Sequence, residues 1–317
     1  PVVSTIFDHR VDGTLEQAWK TSGLDRLPSL DPLSADASVL VVAAHPDDET
    51  LGAGGLMADA AAGGAAVHVL VATDGEASHP QSPTRSARQL ATVRRAEAVE
   101  AVAVVAPGAK VEFLGLPDGR LAAHRDELVA AIGERLPGRT LVLSPWLGDR
   151  HPDHEVCAEA VREATMGRID IRHWQYPIWA WHWGQPSAAG QSDRQLPWSR
   201  LHRIELTETA VSTKQLALQC HVSQHSPLSS ATGDEAILPP HMLAHFTRDF
   251  ETFVLDPVQG PWATTRPGYF DAPHAAADDP WGPAELRPIA SHRERDVLLG
   301  VCPIGDTSVA RTEGIVP

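Results

Sequence analysis

Two short stretches of this chain carry a histidine, a proline and acidic residues in the same order. The first is His45-Pro46-Asp47-Asp48 and the second is His151-Pro152-Asp153-His154. Each follows a run of strand-forming residues, "SVLVVAA" (38–44) and "RTLVLSP" (139–145), and each leads into a helical pattern. Asp47, Asp48 and Glu49 beside His45 repel one another unless something positive compensates them. A bound metal ion, a basic partner or open water would do so. Proline directly after the histidine suits the first helical position, where its missing N–H is no loss. The outer residues of each motif lie three apart, about one turn, so their side chains can face the same way. One such turn alone is most simply an acidic loop with a capping aspartate. Two matched turns at the carboxyl ends of neighbouring strands would converge on one point. Histidine and aspartate are ligand types that zinc accepts, and three protein ligands leave a position open for water.

The rest of the pattern supplies the scaffold. Beyond the two strands above, 66–75, 110–116 and 169–177 read as strands, several of them continuous aliphatic runs of the kind buried on both faces. Alanine-rich helical patterns lie between them at about 50–62, 86–106, 124–136 and 153–165. Strand alternating with helix predicts an α/β, Rossmann-like, mostly parallel sheet flanked by helices. Such a sheet places its ligand beyond the carboxyl ends of its strands. Residues 177–200 hold four tryptophans among Pro, Gly and Ser. They either line the site or only pack a lid onto the sheet. A further strand is expected at 201–206 and a helix at 207–224, with Thr207 as its N-cap. The expected organisation is an N-terminal extension (1–37), the α/β domain (38–256) and an irregular Pro/Gly/Asp-rich tail (257–317).

Composition narrows the partners. The 317 residues carry 26 basic against 41 acidic side chains, a formal charge of −15, with no basic block. That argues against nucleic acid and against an anionic membrane surface. No apolar run approaches the roughly 18 residues of a membrane span. The opening residues lack the basic head and apolar core of a secretory signal. Cys157, Cys220 and Cys302 are odd in number and widely spaced, so no disulfide framework is readable and a cytoplasmic setting is the expectation. The sequence leaves the oligomeric state open.

The stretches "AAHPDDETLGAGG", "TDGEASH" (73–79), "RRAE" (94–97), "FLGLPDGRL" (113–121), "HPDH" (151–154) and "KQLALQCHVSQ" (214–224) resemble, in order, those of the LmbE-like or PIG-L-like N-deacetylases. These are zinc enzymes that remove acyl groups from amino sugars and related amides. The resemblance covers roughly residues 38–255 and implies a Rossmann-like fold. It implies His45, Asp48 and His154 as metal ligands, with zinc as the cofactor and ferrous iron as the alternative. Asp47 would be the general base on the attacking water, free to accept a proton because its neighbour Asp48 is committed to the cation. His151 would stand charged beside the developing oxyanion and protonate the leaving amine, with Asp153 holding its imidazole. Arg94 and Asp118 match positions that contact the sugar or hold the pocket; an Arg94–Glu97 surface pair is the competing, slightly less favoured reading of the first.

Glu49 reads as a first-turn acid favoured by the helix dipole. The glycines of "LGAGG" fit close helix–strand packing better than a dinucleotide turn, and Asp74 reads as a support of the metal site or a turn aspartate. Many family members carry a tyrosine two residues before the HPDH histidine; here that residue is Asp149. The stretches at 268–282 and 299–307 look like the opening of a class I methyltransferase, but too little chain remains for that activity. The expected function is a zinc-dependent N-deacetylase acting on a small N-acylated amino sugar or sugar-containing metabolite. The alternatives are a deacylase of a non-sugar amide in a natural-product pathway, or an inactive metal- or carbohydrate-binding protein. Intact Asp47 and His151 argue against the last.

Overall fold

The computed structural model describes residues 10–33, 37–186 and 196–255. The expected tail, the methyltransferase-like stretches and Cys302 lie outside the described residues, as do residues 187–195. The strands are β1 (Ser38–Ala43), β2 (Ala66–Thr73), β3 (Lys110–Leu116), β4 (Thr140–Pro145), β5 (Arg172–Tyr176), β6 (Leu201–Glu205) and β7 (Phe250–Leu255). They form one sheet in the order β3-β2-β1-β4-β5-β7-β6. The first five are parallel, and β7 runs antiparallel to both β5 and β6. β7 has no counterpart among the expected strands. Its "FETFVL" is only six residues long with Glu251 and Thr252 inside it, and periodicity alone does not separate so short a run from other buried segments.

The helices that fill the crossovers begin where their caps allow. α1 (Glu16–Lys20) precedes the sheet. α2 (Asp48–Ala62), α3 (Ala87–Val105), α4 (Arg125–Gly133) and α5 (Pro152–Ala164) alternate with β1–β5. Ser86 and Gln89 close a capping box at the start of α3. After the short α6 (Ala180–Trp183) come α7 (Glu208–Cys220) and α8 (Val222–His225). Thr207 caps α7 by accepting the Ala210 N–H at 3.1 Å, as its sequence predicts. β1 and β4 are buried along their whole lengths, which is why they read as unbroken aliphatic runs. α2 lies close to the sheet because of its glycines: a Cβ on Gly52 would stand 2.1 Å from the Tyr176 ring.

The strand order places the site. The chain runs outward from β1 to β2 and β3, then returns to β4 on the opposite side of β1. The order therefore reverses between β1 and β4, and a crevice opens outside their carboxyl ends. β1 delivers His45 to that crevice and β4 delivers His151. The segment before the sheet packs on the tryptophan-rich stretch: Trp19 donates to Trp181 O at 2.8 Å, their rings edge-on at 5.1 Å. Among the described residues no helix is long and apolar enough to cross a membrane. Cys157 and Cys220 are buried and form no disulfide among the described residues.

Candidate active site

The first turn folds back on its own strand. Asp48 Oδ2 accepts the N–H groups of Ala44 at 3.0 Å and His45 at 2.8 Å. Asp47 occupies the N-cap of α2 at φ 149° and ψ −27°, a conformation costing an L residue on the order of 1–3 kcal/mol, found mostly at functional sites. Its carbonyl accepts from the Thr50 and Leu51 N–H groups at 3.0 and 2.9 Å. Arg94, buried on α3, reaches this turn with its guanidinium. One nitrogen donates to Gly75 O at 2.9 Å, and the other to Pro46 O at 2.9 Å and Asp47 Oδ1 at 3.0 Å.

The second turn meets the first. Pro152 stands at the first position of α5 with His151 as N-cap, and the helix turns His154 toward Asp48. His154 Nε2 lies 3.3 Å from Asp48 Oδ1, and His45 Nδ1 lies 3.4 Å from Asp48 Oδ2. The opposite nitrogen of each ring faces other carboxylates. His45 Nε2 is 3.1 Å from Asp118 and 3.4 Å from Asp153, and His154 Nδ1 is 2.7 Å from Asp149. The predicted ligands His45, Asp48 and His154 are thus brought together, with the ring nitrogens that face Asp48 turned away from the other acids.

Donor atoms of His45, His151 and His154 lie within 4.8 Å of one another, as do those of His45, Asp118 and Asp153. Both groups omit Asp48, whose carboxylate is drawn onto the strand-end N–H groups. We favour Asp48 over His151 as the third ligand because its two oxygens face the two inner histidine nitrogens. The chemistry of the donor set fits a divalent cation: five buried carboxylates surround three histidines and Arg94, and His154 Nε2 is a buried nitrogen without a hydrogen-bond partner.

The charge imbalance shows in the side-chain acidities. Burial alone would lower the His45 pKa, but Asp118, Asp153 and Asp48 push it well above the ordinary value. His154 rises in the same way to about 9, Asp48 and Asp149 overcoming burial. Burial raises Asp47 to about 6 against the pull of Arg94. Asp48 stays well below the carboxylate range despite its burial, because His154 and His45 hold its charge. An ion held between these two histidines would have to displace any proton they carry.

Several expected roles change. Asp153 does not hold His151: it accepts the Gly119 and Leu121 N–H groups at 2.7 and 3.2 Å and faces His45. His151 Nδ1 has no hydrogen-bond partner, and burial with His154 and His45 nearby drives its pKa well down. The charged His151 expected from an Asp153 partner is therefore not what the geometry gives. Asp118 has both oxygens engaged, one on His45 and one on the Ala77 N–H at 2.8 Å. Arg94 holds Asp47, and Glu97 turns instead to Ser223. Asp74 pairs with Arg95 at 2.6 Å.

Asp149 matters more than the absent tyrosine suggested. Its oxygens accept the Ile178, Trp179 and Ala180 N–H groups at 2.9–3.0 Å besides facing His154. The described part of the tryptophan-rich segment therefore braces the turn that carries His151. Trp179 and Trp181 are buried, Trp183 donates to Asp149 O at 2.9 Å, and Arg150 lays its guanidinium 3.7 Å above the Trp183 ring. Only a carboxylate two residues before a histidine motif could have signalled this, which is a weak cue.

Residues 40–165 match the family described as PIG-L, GlcNAc-PI de-N-acetylase. A 1D-myo-inositol 2-acetamido-2-deoxy-alpha-D-glucopyranoside deacetylase of Rhodococcus jostii is 34% identical over 146 residues, 38% of this chain and 50% of that protein. A diacetylchitobiose deacetylase of Thermococcus kodakarensis is 32% identical over 39% of this chain and 47% of its own. The chain spans about half the length of these curated relatives. Among solved structures, a conserved protein of Thermus thermophilus aligns with a TM-score of 0.48 at 24% identity, covering 71% of this chain and 98% of that one. The likeness to the PIG-L (LmbE-like) family thus lies in residues 40–165, which hold both histidine turns.

Proposed function

We propose that the chain is a metal-dependent hydrolase that removes an acyl group, acetyl first, from the amide nitrogen of an amino sugar or sugar-containing metabolite. The observation that carries this reading is the division between two adjacent aspartates. Asp48 sits between the inner nitrogens of His45 and His154, while Asp47 is drawn aside by Arg94. His45, Asp48 and His154 would hold the ion, zinc in the first instance with ferrous iron as the alternative. When bound, it supplies Lewis acidity for the amide carbonyl and brings the pKa of a coordinated water to about 7.

The chain's own groups do the rest. Arg94 fixes one oxygen of Asp47, which orients the carboxylate as the acceptor of the attacking water's proton. As the water oxygen bonds to the carbonyl carbon, negative charge gathers on the carbonyl oxygen. His151, partly exposed at the N-terminus of α5, would donate a hydrogen bond to that oxygen from a neutral ring. The C–N bond then breaks, and the proton held by Asp47 passes to the departing amine. The products are a carboxylate and an amine, which takes up the water's remaining proton as its ammonium form.

Acetamido sugars are favoured because both relatives named above are deacetylases of such compounds. The test measures free-amine release from an N-acetylglucosaminyl inositol, diacetylchitobiose and a set of N-acyl amino acids. We expect release from an acetamido sugar, lost on chelation and restored by metal, and reduced about 10²–10⁴-fold in Asp47→Asn. Amine release confined to the amino acids would contradict the sugar assignment. Undiminished turnover by Asp47→Asn would contradict the base.

A further inference from the structure

Asp47 is held in a costly conformation, and the structure shows what faces it from behind. Its N–H donates to Glu49 Oε2 at 3.1 Å. The other oxygen of Glu49 accepts the Thr50 hydroxyl at 2.8 Å. Thr50 Oγ1 in turn lies 3.0 Å from His221 Nε2, a residue 171 positions away at the junction of α7 and α8. With Glu49 ionised, Thr50 gives it the one hydroxyl proton and His221 donates to Thr50 from Nε2. Its Nδ1 is then bare, and that atom is buried without a hydrogen-bond partner. Glu49 is 0% exposed and His221 2%, so neither is a solvated first-turn acid or a surface histidine. A buried carboxylate costs stability unless its lone pairs are used, and this one uses an oxygen on the backbone of the residue that needs restraint.

We infer that Glu49, Thr50 and His221 form a positioning chain that holds the backbone of Asp47, and through it the Asp47 carboxylate, in the orientation that proton abstraction requires. The inference rests on the reading of Asp47 as the general base. Arg94 fixes the carboxylate from the α3 side and Pro46 O with it; the chain from His221 fixes the peptide on the opposite side of the same residue. Without Glu49, φ 149° has no bonded N–H to offset its strain, and the turn relaxes toward ordinary helical entry. A displacement near 1 Å of a reacting group costs about 10²-fold in rate. Glu49 and His221 thereby act through Asp47 and touch neither substrate nor metal. The link also gives "CHVSQ", far along the sequence, a role at the first turn.

The test compares Glu49→Ala, Glu49→Gln, His221→Leu and His221→Gln. It reads kcat, KM, bound metal and hydrogen exchange of the Asp47 amide. Glu49→Gln keeps an oxygen for the Asp47 N–H, and His221→Gln keeps a donor for Thr50. We expect kcat to fall about 10–10²-fold in the Ala and Leu variants with KM and metal content unchanged. In those variants the Asp47 amide should exchange faster, and the Gln variants should recover most of the rate. Should Glu49→Ala fail to fold, the His221 pair reads the far end of the chain. A Glu49→Gln enzyme as slow as Glu49→Ala, with its Asp47 amide still protected, would overturn the inference and make Glu49 itself the proton carrier. Normal kcat and normal exchange in His221→Leu would also overturn it. If wild type releases no amine from any substrate, the functional reading fails instead. The Asp47 amide still decides the chain: unchanged exchange in Glu49→Ala or His221→Leu would refute it.

Discussion

Asp149 faces His154 Nδ1 across 2.7 Å while three N–H groups of residues 178–180 converge on the same carboxylate. The pairing fixes the ring so that Nε2 points at Asp48. It also ties a proposed metal ligand to the tryptophan-rich segment. Partners of this kind set the tautomer and basicity of a ligating histidine, and their loss typically costs about 10–100-fold in metal affinity. We therefore expect Asp149→Asn to bind zinc that much more weakly in competition with a chromogenic chelator. Unchanged affinity would mean that packing alone orients His154.

Arg94 has a different signature from a substrate-binding arginine. Its guanidinium lowers the Asp47 pKa against the raising effect of burial. Removing it in Arg94→Met raises that pKa further, so the acid limb of the rate profile moves to higher pH. We expect kcat to fall about 10–10²-fold with KM little changed. A raised KM with normal kcat would return Arg94 to the substrate.

Stability at acid pH depends on a cluster far from this site. Glu16 accepts from Arg248 at 2.6 and 2.8 Å and lies 2.7 Å from His245 Nδ1. Burial would raise its pKa, but these partners lower it from 4.5 to about 2. The unfolded chain therefore binds this proton more readily, and the stabilisation is complete above pH 4.5 and lost as pH falls through 2. Glu16→Gln should melt lower than wild type at pH 6, with the gap closing steadily below pH 4.5. A gap independent of pH would show that the carboxylate's charge contributes nothing.

The sequence disclosed the parts of the molecule that obey local rules. β1 and β4 read as aliphatic runs because both their faces are covered, and Pro152 and Thr207 mark helix starts by their own chemistry. The two HPDx turns were legible because the same four-residue grammar occurs twice after strands. What lay hidden was set by tertiary contact. Whether Asp153 serves His151 or His45 depends on where the 118–121 turn passes, and Gly119 and Leu121 take its oxygens. The Thr50–His221 contact spans 171 residues, and Asp234 gathers the hydroxyls of Ser82, Thr84 and Ser229 to knit two distant loops. Neither leaves a periodic trace.

The division of labour between Asp47 and Asp48 is tested most directly by the metal content of purified variants. Elemental analysis of wild type, His45→Ala, Asp48→Ala, His154→Ala and Asp47→Asn settles which side chains hold the ion. The account predicts about one divalent metal per chain in wild type and in Asp47→Asn, and little in the other three. Equal metal in His154→Ala and wild type, or loss of metal in Asp47→Asn, would contradict it.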